Sequence, residues 1–258
     1  MHWTAAGLSS ALRDVATQVS TKGAAGKPST PKPPAARRPL LPAVLLKFVI
    51  AASSVLLVLY LVVHMLGNLQ IFFGPGNING YAVWIRTILA PLLGNEGFIW
   101  VIRVVLTLAV VGHIWAATLL ALRAKKARPV KYAAGNKVKG NYTTRTMRWG
   151  GVIVLLFIIY HILDLTTGTL NPNGEHLAVW DNVHADFAPD RWYVTIWYVV
   201  ALLAIFFHLR HGLWSATQTF GWSSNRREPI LKAIATAFSG LLVLGFLIVP
   251  ISVTFGWI

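Results

Sequence analysis

Cysteine is absent from all 258 residues, and acids are scarce, eight against twenty-three lysines and arginines. The first absence excludes disulfides, thiol catalysis, c-type haem attachment and any iron–sulfur cluster ligated by this chain alone. Charge of either sign is thin, at 12% of residues, while 55% are hydrophobic and the mean hydropathy is +0.60. That balance lies outside ordinary soluble domains and predicts a membrane protein. The net charge of +15 would raise nucleic acid as a partner, but the basic residues sit between apolar runs rather than along one groove, so no nucleic acid is expected. The N-terminal stretch carries the Pro-rich run Lys27–Pro42 and lacks the apolar core and cleavage site of a signal peptide. Residues 1–44 read as a retained, basic cytoplasmic arm without a packed structure.

A bilayer core of about 30 Å takes about 20 apolar residues as a helix. Five segments qualify: Leu45–Phe73, Phe98–Leu122, Gly151–Thr167, Trp192–Phe220 and Leu231–Ile251, the third borrowing Met147–Trp149 as its start. The expected fold is an all-α membrane protein of five transmembrane helices, four of them forming a cofactor-binding bundle, in one domain over residues 45–258. Basic residues near span ends stay cytoplasmic. They crowd the N-terminal arm, the Arg123–Arg148 loop and the Arg226, Arg227, Lys232 turn, while the other side carries only Arg86 and Arg191 outside the spans, with Glu96, Glu175, Asp181, Asp186 and Asp190. This predicts a multi-pass membrane protein, N-terminus cytoplasmic and C-terminus external. Trp84, Trp100, Trp149, Trp192 and Trp257 suit interfacial belts.

Four histidines, His64, His113, His161 and His208, fall one to a span at spacings of 49, 48 and 47 residues. An ionisable side chain inside a membrane is costly and marks a functional site by default, and neutral imidazole is the commonest ligand of metals and haem iron. Counted from each span's outer end at 1.5 Å per residue, His64 lies about 15 Å and His161 about 10 Å deep, His113 about 22 Å and His208 about 25 Å. Two layers follow, an outer pair from spans one and three and an inner pair from spans two and four. A single such histidine is as often a hydrogen-bonded packing residue as a ligand; the pairing by depth across alternate helices is what favours two bis-histidine haems, a cage common in four-helix bundles. Histidine on both axial positions leaves no site for oxygen, so such haems carry electrons. Gly67, Gly112 and Gly212 would let a flat macrocycle approach the backbone. His2, His176 and His184 read as solvated. His211, three residues after His208 on nearly the same face, competes as fourth ligand, and depth does not separate the two.

The stretch His64-Met-Leu-Gly-Asn-Leu-Gln-Ile-Phe-Phe-Gly, followed by Asn79-Gly-Tyr-Ala, and the segment from His208-Leu-Arg-His-Gly-Leu-Trp to Gly221 resemble the cytochrome b membrane-anchor subunit of succinate dehydrogenase and fumarate reductase, in its five-helix, single-polypeptide, di-haem form. The resemblance covers about residues 45 to 258. It implies two haem b groups, the outer on His64 and His161 and the inner on His113 and His208, and selects His208 over His211. It further implies a respiratory complex II component of the tricarboxylic acid cycle that docks a flavoprotein and an iron–sulfur subunit on its cytoplasmic face and passes electrons to menaquinone. The family's acidic residue near a distal quinone site has no counterpart in Tyr81–Pro91, where only Arg86 is charged; Glu96 or Asp164 could substitute.

Quinone chemistry needs a few polar groups in an apolar pocket and a proton route. Ser53, Ser54, Arg210, His211, Trp214 and Gln218 are the candidates near the cytoplasmic end. The bland reading bonds the serines to their own helix and Arg210 to haem propionates. Asp164, three residues after His161, must be protonated or paired. The expected function is electron transfer in succinate:menaquinone oxidoreductase. Competing readings are an anchor holding a mixed iron–sulfur centre between its histidines and a partner's cysteines, a di-haem anchor of another dehydrogenase or hydrogenase, and a transporter, for which broken helices and inverted repeats would be expected.

Overall fold

The computed structural model describes residues 41–127 and 140–258, with only the helical backbone for 140–146. Residues 1–40 of the arm and 128–139 of the basic loop lie outside the described residues. The described chain is all α. Helix α1 (Ala43–Asn68) tightens into a 3-10 turn, Leu69–Phe73, and is followed by α2 (Pro75–Thr87), the short α3 (Ala90–Leu93) and α4 (Gly97–Lys126). Helix α5 (Gly140–His161) gives way to a π-helical turn, Ile162–Thr166; α6 (Val179–Asp186) and a 3-10 turn, Pro189–Arg191, lead into α7 (Trp192–Thr219), and α8 (Glu228–Thr254) closes the chain.

Five stretches are long and apolar enough to cross a membrane: Ala43–Phe73, Gly97–Lys126, Met147–Thr166, Pro189–Thr219 and Glu228–Thr254. A helix pairs most of its peptide groups internally, the condition for a segment in hydrocarbon; Pro250 inside α8 removes one such donor. The helices overrun the hydrophobic segments because helix geometry continues into interfacial residues that hydropathy does not score: α4 runs on to Lys126, and α8 starts at Glu228. Their outward faces expose Leu59, Leu108 and Leu241, a cost in water that lipid removes.

Helix α1 packs along α4, α7 along both α5 and α8, and α1 meets α7 and α8. The four histidine-bearing helices therefore form a bundle in which α1 and α5 stand on one diagonal and α4 and α7 on the other. Arg123 in the last turn of α4 donates to the Leu41 carbonyl at 2.7 Å, tying that end of α4 to the chain two residues before α1.

At the other end the polar connections are folded. Helix α2 starts on Pro75 after Gly74, whose φ of +92° suits glycine. Asn79 accepts the backbone N–H of Trp180 at 3.1 Å and so fastens the start of α6 to α2. Asn171 and Asn182 knit the 168–182 loop to itself. His184, expected in solvent, is half-buried: its ring stacks on Trp180 at 4.1 Å and its Nδ1 bonds the Trp180 carbonyl at 2.8 Å. His176 is exposed, as expected, and lies 3.8 Å from Glu96, which also faces Arg86 at 3.5 Å.

Gly67 does not face open space for a macrocycle. A Cβ there would stand 2.8 Å from Cε1 of Tyr81, so the glycine makes room for the α2 tyrosine. Replacing Gly67 by alanine is expected to destabilise the fold by about 1–3 kcal/mol, as overpacking does, whereas Gly80→Ala, which meets nothing within 4 Å, changes stability by less than about 1 kcal/mol. Denaturation of the purified proteins in detergent compares the two.

Candidate functional site: two diagonal histidine pairs

The four span histidines meet in twos. His64 near the end of α1 faces His161 at the end of α5, ring centroids 5.8 Å apart and planes at 77°. His113 and His208, each sixteen residues into its helix, face each other with centroids 6.2 Å apart and planes at 57°. The two pairs lie at different levels, one on each diagonal. His211 instead packs edge-on against Trp214 at 5.6 Å.

Each pair contains one imidazole whose Nδ1 is held. Ser53 Oγ lies 3.2 Å and Ser54 Oγ 3.4 Å from His113 Nδ1. Both hydroxyl protons are already donated one turn back, Ser53 to the Val49 carbonyl at 2.7 Å and Ser54 to that of Ile50 at 2.7 Å. The serine oxygens are thus acceptors, the proton is on Nδ1, and Nε2 keeps its lone pair. At the other level His161 Nδ1 lies 3.2 Å from Tyr198 Oη, and Tyr198 donates to Asp164 Oδ2 at 3.1 Å. The tyrosine has one proton to give, so it accepts from His161, and Nε2 is again free. This is the outer support that metal-binding histidines usually have. Ser53 and Ser54, expected at a quinone, are occupied in orienting His113.

The donor sets would fit one metal ion per pair. Two imidazoles on one ion have ring centroids about 6 Å apart, from metal–N bonds of about 2.0–2.1 Å and the ring radius. Among the described residues no three His, Cys, Asp or Glu side chains converge, whereas a structural zinc asks for four protein ligands. Two imidazoles per pair would suit a group that brings further ligands of its own, as haem does. His208 Nδ1 is buried without a partner among the described residues. Gly151 of α5 lets α5 come close to this ring: a Cβ there would sit 3.5 Å from His208 Cε1. Tyr60, stacked at 5.3 Å, and Phe246 at 5.6 Å wall His64.

Of the remaining quinone candidates, Arg210 is exposed and donates to Thr236 Oγ1 at 2.8 Å. Trp214 carries Lys232 Nζ 4.7 Å above its ring, and its Nε1 is buried with no partner among the described residues. Beside it, Leu213 and Thr217 line an apolar cavity of about 240 Å³ with Val58 and residues 231–238 of α8.

Sequence reasoning passed over Tyr198 and Asp186. Both carried a signal: a tyrosine inside an apolar span needs a partner for its hydroxyl, and Asp186 is followed by apolar Phe187. Asp164 and Asp186 are fully buried, and Arg191 Nη2 donates to Asp186 Oδ1 at 3.1 Å. Burial, then the neighbouring Asp164 carboxyl, push the Asp186 acid up to about 7, against the opposing pull of Arg191. Comparison with family models, with curated proteins and with solved structures finds no match.

A raised carboxyl pKa means that the folded state keeps a proton which the unfolded state has released. The contribution of Asp186 to holding α6 is therefore complete below its ordinary value of 3.8 and is lost as pH rises through about 7. Amide-exchange protection of α6, corrected for intrinsic rates, should fall across that window in the native protein and stay level in Asp186→Asn.

Proposed function

We propose that this chain is the cytochrome b membrane anchor of a succinate:menaquinone oxidoreductase. The observation that carries the reading is the meeting of four span histidines in two diagonal pairs at 5.8 and 6.2 Å, which supports two bis-histidine haems b, one on His64 and His161 and one on His113 and His208. Held between two imidazoles, such a group supplies one-electron transfer without binding oxygen. The chain's own contribution is to position the ligands. Ser53 and Ser54 hold His113, Tyr198 holds His161, and the surrounding apolar side chains exclude water. The resemblance of the His64–Gly74 and His208–Gly221 segments to the di-haem anchors supports the choice of succinate over another dehydrogenase's substrate.

The resemblance supports a bacterial cytoplasmic membrane setting, and the distribution of basic residues supports an N-terminus inside. The partners would be a flavoprotein and an iron–sulfur subunit that meet the cytoplasmic basic surface by charge. Menaquinone would dock near Trp214 and His211, where an unpartnered indole N–H can donate to a quinone oxygen and the adjoining apolar cavity accepts part of an isoprenoid tail.

The deciding measurement is a dithionite-reduced minus oxidised visible spectrum of the purified complex, with extracted haem counted per chain. About two low-spin b haems are expected. His64→Ala or His161→Ala should each remove one, and His113→Ala or His208→Ala the other. No haem overturns the reading; haem that succinate does not reduce in the intact complex overturns the succinate assignment alone. Removing both serine hydroxyls, Ser53→Ala with Ser54→Ala, is expected to weaken retention of the His113/His208 haem by about 10–100-fold, the usual cost of losing a ligand's outer partner, read by haem-transfer competition.

A further inference from the structure

Asp164 and Asp186 bring four carboxyl oxygens to one buried place between the π-helical turn and α6, and two of those oxygens have donors. Asp164 Oδ2 receives Tyr198 Oη–H at 3.1 Å; Asp186 Oδ1 receives Arg191 Nη2–H at 3.1 Å. Asp164 Oδ1 and Asp186 Oδ2 are buried with no partner among the described residues, and the π-helical turn and α6 that carry them pack against each other. Two buried acceptors without donors lack only a proton. Both residues are 0% exposed, and adjacent carboxylates removed from water do not both keep their charge.

We propose that Asp164 and Asp186 share one proton, forming a buried acid–carboxylate site whose charge state is passed through the Tyr198 hydroxyl to Nδ1 of His161. The shared proton stands on the geometry alone; its effect at His161 rests on the metal ligation proposed above.

The surroundings leave this pair as the site that takes up protons. The cation bonded to it is Arg191, whose side chain is 24% exposed and opens the pair to water at the loop surface. The Tyr160 ring lies edge-on to Tyr198 at 6.2 Å, and the Tyr193 ring lies 5.6 Å from the Arg191 guanidinium carbon. On α6, His184 is turned to the Trp180 carbonyl. From α2, Arg86 is engaged by Glu96. From α8, Thr254 donates to the Phe187 carbonyl at 3.1 Å and meets Thr195 Oγ1 at 2.6 Å.

When the pair takes a second proton, Asp164 becomes a weaker acceptor and Tyr198 pulls less on the His161 Nδ1 proton. A metal held by His161 would then receive less charge from the imidazole, and its reduced state would be favoured. One proton would enter the pair from water for each electron that a one-electron reductant delivered to the bound group. No bond to His161 forms or breaks. Tyr198 and the two aspartates are positioning residues in this scheme.

Two readouts on the purified holoprotein test it. In infrared difference spectra over a pH titration, the protonated-carboxyl stretch should appear in the native protein and vanish in both Asp164→Asn and Asp186→Asn; a band that survives either change, or no band at all, overturns the shared proton. In equilibrium redox titrations, the centre lost in His161→Ala should show a reduction equilibrium that shifts by several-fold per pH unit, with a ceiling of about tenfold for one proton per electron. That dependence should fall below about twofold per unit in Asp186→Asn and in Tyr198→Phe. Tyr198→Phe leaves both aspartates in place and should retain the infrared band, so it separates the link from the pair and from any folding defect. An unchanged pH dependence in Tyr198→Phe overturns the link. A protein without a redox centre at His161 overturns the function proposed above and the link with it, while the infrared band still decides the shared proton.

Discussion

An imidazole in hydrocarbon has two ring nitrogens and no water to satisfy either, and the arrangement of this bundle follows from that constraint. A neutral ring needs an acceptor for its N–H and something for its lone pair. Here the N–H side is answered from a neighbouring helix, by serine oxygens of α1 for His113 and by a tyrosine of α7 for His161. The lone-pair side is turned to the diagonal helix. A ring held at Nδ1 cannot rotate away without losing that bond, so His113 and His161 are each fixed in one orientation.

The two levels differ in how their histidines connect to water. The His113 side ends in hydroxyls that donate to their own helix one turn back, a short and uncharged termination. The His161 side runs through Tyr198 to a carboxyl pair and then to Arg191 at the loop surface. The first arrangement gives a pH-indifferent environment and the second a charge that can change. The π-helical turn directly after His161 is part of this difference: its wider coil carries Asp164 at 0% exposure beneath Tyr198, and π turns of this kind recur at functional sites.

The short connections that hydropathy treats as loops carry much of the specificity of the fold. Asn79 and Tyr81, within one turn of α2, fasten α6 and fill the space above Gly67. They belong to the same stretch of sequence that resembles the di-haem anchors, so part of that signature is explained by packing rather than by contact with a cofactor. Arg86 and Glu96 close the same region.

Sequence alone determined the five spans, because about 20 apolar residues in a row have one inexpensive place to be. It also determined that four histidines lie at two depths, because helical rise converts position into depth without reference to any neighbour. It could not say what Ser53 and Ser54 touch, since a hydroxyl on a helix has the same sequence signature whether it faces a quinone, its own carbonyl or a ring sixty positions away. Nor could it find the Asp164–Asp186 pair, whose members are separated by a loop that hydropathy reads as solvent. Those assignments belong to the tertiary structure, because hydrogen bonds act over about 3 Å and only the packing of α5, α6 and α7 brings such groups within that reach.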